Sequence, residues 1–276
     1  MNYFQPNDLN SALDVLQNNS DLTIAAGCTD LFPITNNMSL DKNILDITNI
    51  KSIKGFQFNS KETKIGSATT WTDIINENLP SCYDMLKACA KEVGSIQIQN
   101  LGTIGGNICN ASPAADSIPC LLALDAKLEL SSANNQRIIP IDEFILGSRK
   151  TKLEQGEILT SIIIPKEKEN GSSSFRKIGA RKYLVISISM VACRILISNN
   201  IIEDISISVG SCSEVAKRIF SIERQLIKKD INEDIFNQVD FSQLNEISPI
   251  TDIRSTHVYR LKAVSYTHLR AHETVV

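Results

Sequence analysis

The sequence predicts an α+β protein in two parts: a larger first part of mixed strands and helices, and a smaller α/β part built on an antiparallel sheet of three strands. Three observations carry this. Up to about residue 165, short apolar strands alternate with helical stripes. A charged, serine-rich stretch at residues 166–174 then reads as a linker and solvated turn. Beyond it, residues 174–178, 186–198 and 201–209 are β-branched runs with no helical stripe between them, the pattern of an antiparallel sheet. The expected boundaries are residues 1–170 for the first domain and residues 171–263 for the second.

The elements follow in order. Residues 7–18 carry the stripe Leu9, Ala12, Leu13 and Leu16 behind a cap at Asn7 or Asp8. Residues 22–26 form an apolar strand that runs into a turn of small residues, Ala25, Ala26, Gly27, Cys28, Thr29, Asp30 and Leu31. Residues 43–47, 53–58 and 64–67 read as strands, and residues 72–76 as a helix capped by Thr69 or Thr70. Residues 82–93 form an amphipathic helix with Met85, Leu86, Cys89, Ala90 and Val93 inward. Residues 117–125 are an apolar helix, residues 126–130 and 137–139 a hairpin across Asn134 and Asn135, and residues 157–165 a strand stopped by Pro165. In the second part, residues 217–229 and 231–239 look helical.

The stretch from Gln99 to Asp116, QNLGTIGGNICNASPAAD, places Gly102, Gly105 and Gly106 within five residues. Glycine permits positive φ and close approach of another group, and successive amides in such a turn form a nest for an anion. The stretch holds no lysine, so an anion there is held by backbone amides and hydroxyls. It has neither G-x-G-x-x-G nor the P-loop spacing. Taken alone, it serves equally well as a tight connection.

Two segments together change that balance. Ala26-Gly27-Cys28-Thr29-Asp30-Leu31 and Thr103-Ile104-Gly105-Gly106-Asn107, the latter followed by Ala111-Ser112-Pro113 and Asp116, resemble the paired pyrophosphate-binding loops of the FAD-binding subunit of molybdenum hydroxylases of the xanthine dehydrogenase type. The family patterns are A-G-G-T-D-L and T-I-G-G-N followed by A-S-P-x-x-D. Cys28 stands where glycine is usual, Gln99 where arginine is usual, and Val185 where aspartate is frequent. The resemblance implies a two-lobed FAD-binding domain of the PCMH type, with lobes at about 1–58 and 59–170, and a C-terminal domain of a three-stranded sheet with a helical layer.

Composition narrows the partners. The chain has 276 residues and a formal net charge of -3, which gives no footprint for nucleic acid or an anionic membrane. No apolar run approaches the roughly 18 residues of a bilayer span, and the N-terminus has no signal-peptide pattern, so a cytoplasmic location is expected. The seven cysteines form no C-x-x-C pair, no zinc spacing and no iron–sulfur run; free, mostly buried thiols are expected. Residues 264–276 resemble a translated sequencing adapter and are set aside as a non-native tail. With them goes the reading of His268 and His272 as a metal pair at i, i+4.

The implied cofactor in this chain is FAD. Backbone amides of Ala26 to Asp30 and of Thr103 to Asn107 would hold its diphosphate, with Ala25 and Leu31 flanking the first loop. Asn107, Ser112 and Asp116 suit its hydroxyls by type, although Asp116 equally suits a helix N-cap. By resemblance, the ring meets Lys177 of Phe175-Arg176-Lys177, with Arg176 as the alternative if the register slips; Ile162, Leu159 and Ile186 are candidate walls. No acid–base or nucleophilic constellation is visible, as fits a site whose cofactor carries the chemistry. The resemblance further implies a partner subunit holding molybdopterin, another holding 2Fe-2S centres, and NAD or oxygen as the electron acceptor, most like xanthine or purine oxidation. A free-standing flavin oxidase and a degenerate assembly subunit are the competing readings.

Overall fold

The computed structural model describes residues 2–33, 42–182, 184–231, 235, 239–240 and 244–272. The first lobe contains β1 (Tyr3–Phe4), α1 (Leu9–Asn18), β2 (Leu22–Ala25) and β3 (Asn43–Asp46). Its sheet is parallel, in the order β1-β3-β2. Of the two cap candidates, Asp8 serves: its carboxylate accepts the Ser11 N–H at 2.9 Å. The expected stripe then buries Ala12, Leu13 and Leu16 against Leu45, Ile47 and Ile50.

The second lobe begins with β4 (Phe56–Phe58), β5 (Glu62–Gly66), α2 (Trp71–Asn76), α3 (Asp84–Glu92), α4 (Ile96–Leu101), α5 (Ile104–Asn110) and α6 (Ser117–Ala123). It continues with β6 (Lys127–Ser131), β7 (Gln136–Pro140), α7 (Ile141–Phe144), β8 (Ile145–Gly147), β9 (Lys150–Thr151) and β10 (Ile158–Pro165). Its main sheet is antiparallel, in the order β4-β5-β10-β6-β7. Thr70 caps α2 in a reciprocal box: its hydroxyl accepts the Asp73 N–H, and the Asp73 carboxylate accepts the Thr70 N–H. Trp71, Met85, Leu86, Ile104, Leu121 and Leu128 share one core with Ile162.

The second part holds β11 (Ser172–Ile178), β12 (Ser189–Ser198), β13 (Ile201–Gly210), β14 (Lys217–Arg218), α8 (Phe220–Leu226) and α9 (His257–His272). Along β12, Met190 and Ala192 join the core of the second lobe, while Val191, Cys193 and Ile195 join a separate core with α8 and α9. A strand buried on both faces reads as one continuous apolar run, because its period of two is hidden.

Three expectations are corrected here. The three long strands carry a fourth, two-residue edge strand at Lys217–Arg218, within a stretch expected to be helical. Arg218 is drawn out of any helix by Ser206, Asp125 and Glu223, so α8 starts at Phe220. The strand expected from residue 186 starts at Ser189, and Ile186 is exposed rather than a core residue. α9 runs on past Ala263 with Val264 and Thr267 buried, so residues set aside as a non-native tail continue this helix. The helix expected over residues 231–239 falls largely outside the described residues. Among the described residues, no helix is long and apolar enough to cross a membrane.

Candidate functional site

The two glycine-bearing loops meet. Ala25, Ala26, Gly27, Cys28, Thr29, Asp30 and Leu31 from the end of β2 line one groove with Thr103, Gly105, Gly106 and Asn107 at the start of α5. The cavity is about 410 Å³. A Cβ built on Gly27 would lie 1.8 Å from the Leu101 carbonyl oxygen, so the first loop rests directly on the backbone leading into the second. A Cβ on Gly105 would lie 2.6 Å from Ser67. Both positions demand glycine because backbone, not a yielding side chain, occupies the space. Gly106 differs: only the Thr103 hydroxyl lies near its missing Cβ, at 2.9 Å, so its bare face lets a ligand come close. Asn110 ties the loops together by donating to the Asp30 carboxylate at 2.9 Å, and it is itself held by Arg149.

Accounting for the amides corrects the expected division of labour. Thr103 caps α5, and its hydroxyl accepts the Gly106 N–H at 3.1 Å. The Ile104 N–H donates to the Thr69 carbonyl, Gly105 to Ser67, and Asn107 to Thr103. The second loop is therefore the first turn of a docked helix in which the N–H groups of Ile104 to Asn107 are already used, while Thr103 N–H takes no acceptor among the described residues. In the first loop, the N–H groups of Gly27, Cys28, Thr29 and Asp30 take no acceptor among the described residues. An anion in the groove finds its amide donors there. Cys28 holds φ at +58°, the left-handed conformation that glycine adopts without cost. Burial pushes its thiol pKa up, and the Asp46 carboxylate adds to this.

The remaining candidates are placed differently. Asp116 and Lys177 do not line the groove but meet each other: the Lys177 ammonium donates to the Asp116 carboxylate at 2.6 Å, and the Ser187 hydroxyl donates to its other oxygen at 2.6 Å. Asp116 precedes α6 in helical geometry and makes no side-chain cap, so the capping role it was equally suited to falls away. Burial pushes its pKa up, and Lys177 and Ser187 pull it back. Asn107 connects this pair to the groove, since it lines the groove and accepts the hydroxyl of Ser117 beside Asp116 at 2.7 Å. Arg176 is exposed, so the register places Lys177 inward without a slip.

Ile104 and Ile162 are fully buried in the core rather than on the groove wall, and Ser112 turns its hydroxyl to the Ala114 N–H. On β10 it is Ile158 and Leu159 that reach the groove, together with Leu153. Sequence reasoning also missed Ser67 and Trp71, which line it from the end of β5 and the start of α2. The run Gly66-Ser67-Ala68 offered a signal, since three small residues end a strand where another backbone must approach.

The residues present fit a dinucleotide such as FAD. Four residues whose amides take no acceptor among the described residues line a groove floored by bare glycine, the Ser67 hydroxyl has no partner among those residues, and aliphatic side chains from β10 provide an apolar wall. Comparison with known proteins agrees. The glyceraldehyde dehydrogenase medium chain of Sulfolobus acidocaldarius is 29% identical over 99% of this chain and 97% of its own length. The xanthine dehydrogenase FAD-binding subunit of Escherichia coli O157:H7 is 29% identical over 95% of this chain and 91% of its own. The solved structure of quinoline 2-oxidoreductase from Pseudomonas putida 86 has the same fold, with a TM-score of 0.89 at 21% identity, covering 100% of this chain and 96% of that one. Residues 156–275 match the CO dehydrogenase flavoprotein C-terminal domain. Residues 1–167, more than half of the chain, match the FAD binding domain in molybdopterin dehydrogenase, and it is to this family that the chain belongs.

Proposed function

We propose that this chain is the FAD-carrying subunit of a molybdenum hydroxylase, passing electrons from the iron–sulfur centres of a partner to NAD or oxygen, in the oxidation of xanthine or a related purine. The observation that carries the reading is the single groove formed by the two loops, with unused amides on one side and glycine backbone on the other. Two of its relatives are named as a medium chain and as an FAD-binding subunit, which supports separate partner chains for molybdopterin and for 2Fe-2S centres. Among the described residues, no group of three metal-ligating side chains is found.

Bound FAD supplies exchange between one-electron and two-electron carriers. The amides of Gly27 to Asp30 hold the diphosphate and so fix the register of the dinucleotide. Leu153, Ile158 and Leu159 keep water from the apolar end of the groove. Asp116 and Lys177 place a neutralised ion pair one residue away from groove-lining Asn107, through Ser117. A degenerate assembly subunit remains the second reading, favoured by Cys28 in a conformation that suits glycine.

The test is the visible spectrum and melting temperature of the purified chain with added FAD. Flavin absorbance that co-purifies or is restored, with a rise in melting temperature, supports the first reading. A colourless chain indifferent to FAD supports the second. Gly27→Ala should abolish binding in a protein that still folds its second part, because its Cβ would overlap the Leu101 carbonyl.

A further inference from the structure

We infer that the Ser67 hydroxyl is a hydrogen-bond donor to the polar midsection of the dinucleotide, taking the place of the amides that α5 has already committed; this rests on the reading that the groove holds FAD. Ser67 lies just beyond β5, is 3% exposed, and lines the groove. Both of its backbone groups are used: its N–H donates to the Thr160 carbonyl at 2.9 Å, and its carbonyl accepts the Gly105 N–H at 2.8 Å. The residue is thereby clamped between β10, which supplies the apolar wall, and the first turn of α5. Its hydroxyl alone has no partner.

Buried hydroxyls are nearly always paired, and an orphan destabilises the fold that contains it. An orphan in a groove-lining residue is resolved when the ligand brings the acceptor, which here takes a turn of the serine side chain about χ1, since the oxygen is closed to solvent in this rotamer. The geometry also says why a side chain is needed here. Ile104, Gly105, Gly106 and Asn107 spend their N–H groups on Thr69, Ser67 and Thr103, so a ligand oxygen facing the first turn of α5 finds none of these four amides. The serine offers a donor in that quarter, on a backbone held by two hydrogen bonds. The acceptor is an oxygen of the diphosphate or of the adjoining ribityl chain.

The test is Ser67→Ala in the full chain, read by FAD titration and by the melting temperature without ligand. The inference expects the dissociation constant for FAD to rise about three- to tenfold, the size of one neutral hydrogen bond. It expects the ligand-free melting temperature to stay level or rise, because the orphan is gone. A parallel titration with ADP assigns the acceptor: a loss with both ligands marks a phosphate oxygen, and a loss with FAD alone marks the ribityl chain. Equal FAD affinity in the two proteins overturns the inference, and so does a fall in ligand-free melting temperature accompanying the loss, which marks a structural serine. If the wild-type chain takes no FAD, the parent reading fails, a result distinct from equal binding by both.

Discussion

Lys177→Met tests whether the pair with Asp116 is an electrostatic unit that joins the two parts of the chain. The side chains are 8% and 6% exposed, and the ammonium sits 2.6 Å from the carboxylate. Removing the lysine leaves a buried carboxylate with the Ser187 hydroxyl as its side-chain donor. Breaking one side of such a pair costs roughly 3–5 kcal/mol, whereas replacing both charges by neutral groups is often tolerated. For a chain of this size, that corresponds to a fall in melting temperature of roughly 6–20 °C. Asp116→Asn combined with Lys177→Met should recover most of the loss. The pH dependence has a definite sign. Burial raises the folded-state pKa of Asp116 above its ordinary value, against the pull of Lys177 and Ser187. Between the ordinary and the raised value the folded protein keeps a proton that the unfolded chain has released, so the contribution of this group favours folding in acid and fades as pH rises. Without Lys177 that window extends upward, and the deficit of the single variant should grow towards neutral pH and shrink in acid. Thermal unfolding of the four proteins of this cycle across pH is the assay. A single-variant loss below about 1 kcal/mol, or a double-variant loss equal to the sum of the singles, refutes the reasoning.

Two further outcomes are expected. Cys28→Gly should raise stability by up to about 1 kcal/mol, since a left-handed residue with a side chain costs roughly 1–2 kcal/mol and glycine returns about half of that as unfolded-state entropy. It should also tighten FAD, because a side chain leaves the loop with the unused amides; weaker FAD binding in titration contradicts this. Glu157 is held below the usual carboxylate range first by the two hydrogen bonds from Arg137, at 2.6 and 2.9 Å, against the opposing push of burial. Its stabilisation is present above the ordinary carboxylate pKa and is lost as pH falls towards the folded value. Glu157→Gln should therefore lower the melting temperature at neutral pH and bring the two proteins together in acid. A constant difference at all pH values excludes this account.

Local patterns were legible wherever one residue's neighbours in sequence are also its neighbours in space. The stripe of α1, the inward face of α3 and the caps of α1 and α2 belong to this class, since helical spacing and capping act within a turn. The two small-residue loops were legible for a related reason: a backbone that must touch another backbone excludes side chains, and glycine records that exclusion in the sequence. What stayed hidden involves partners chosen by the packed chain. Residues 189–195 could not show which side chains faced which core, because both faces are apolar. Arg218 looked like part of a helix, because Asp125, one of the carboxylates that hold it extended, lies 93 positions away in the chain.

The sequence by itself determined where bare backbone had to come close, and hence that Gly27 and Gly105 lie against other parts of the main chain. The tertiary structure alone decided which donors remained for a ligand. Docking α5 onto Ser67 and Thr69 consumed one set of amides, left the other open, and stranded a single hydroxyl between them. It likewise matched Asp116 with Lys177 across 61 positions of chain. Hydrogen bonding is a matter of distance in space, and that distance is settled only when the whole chain is folded.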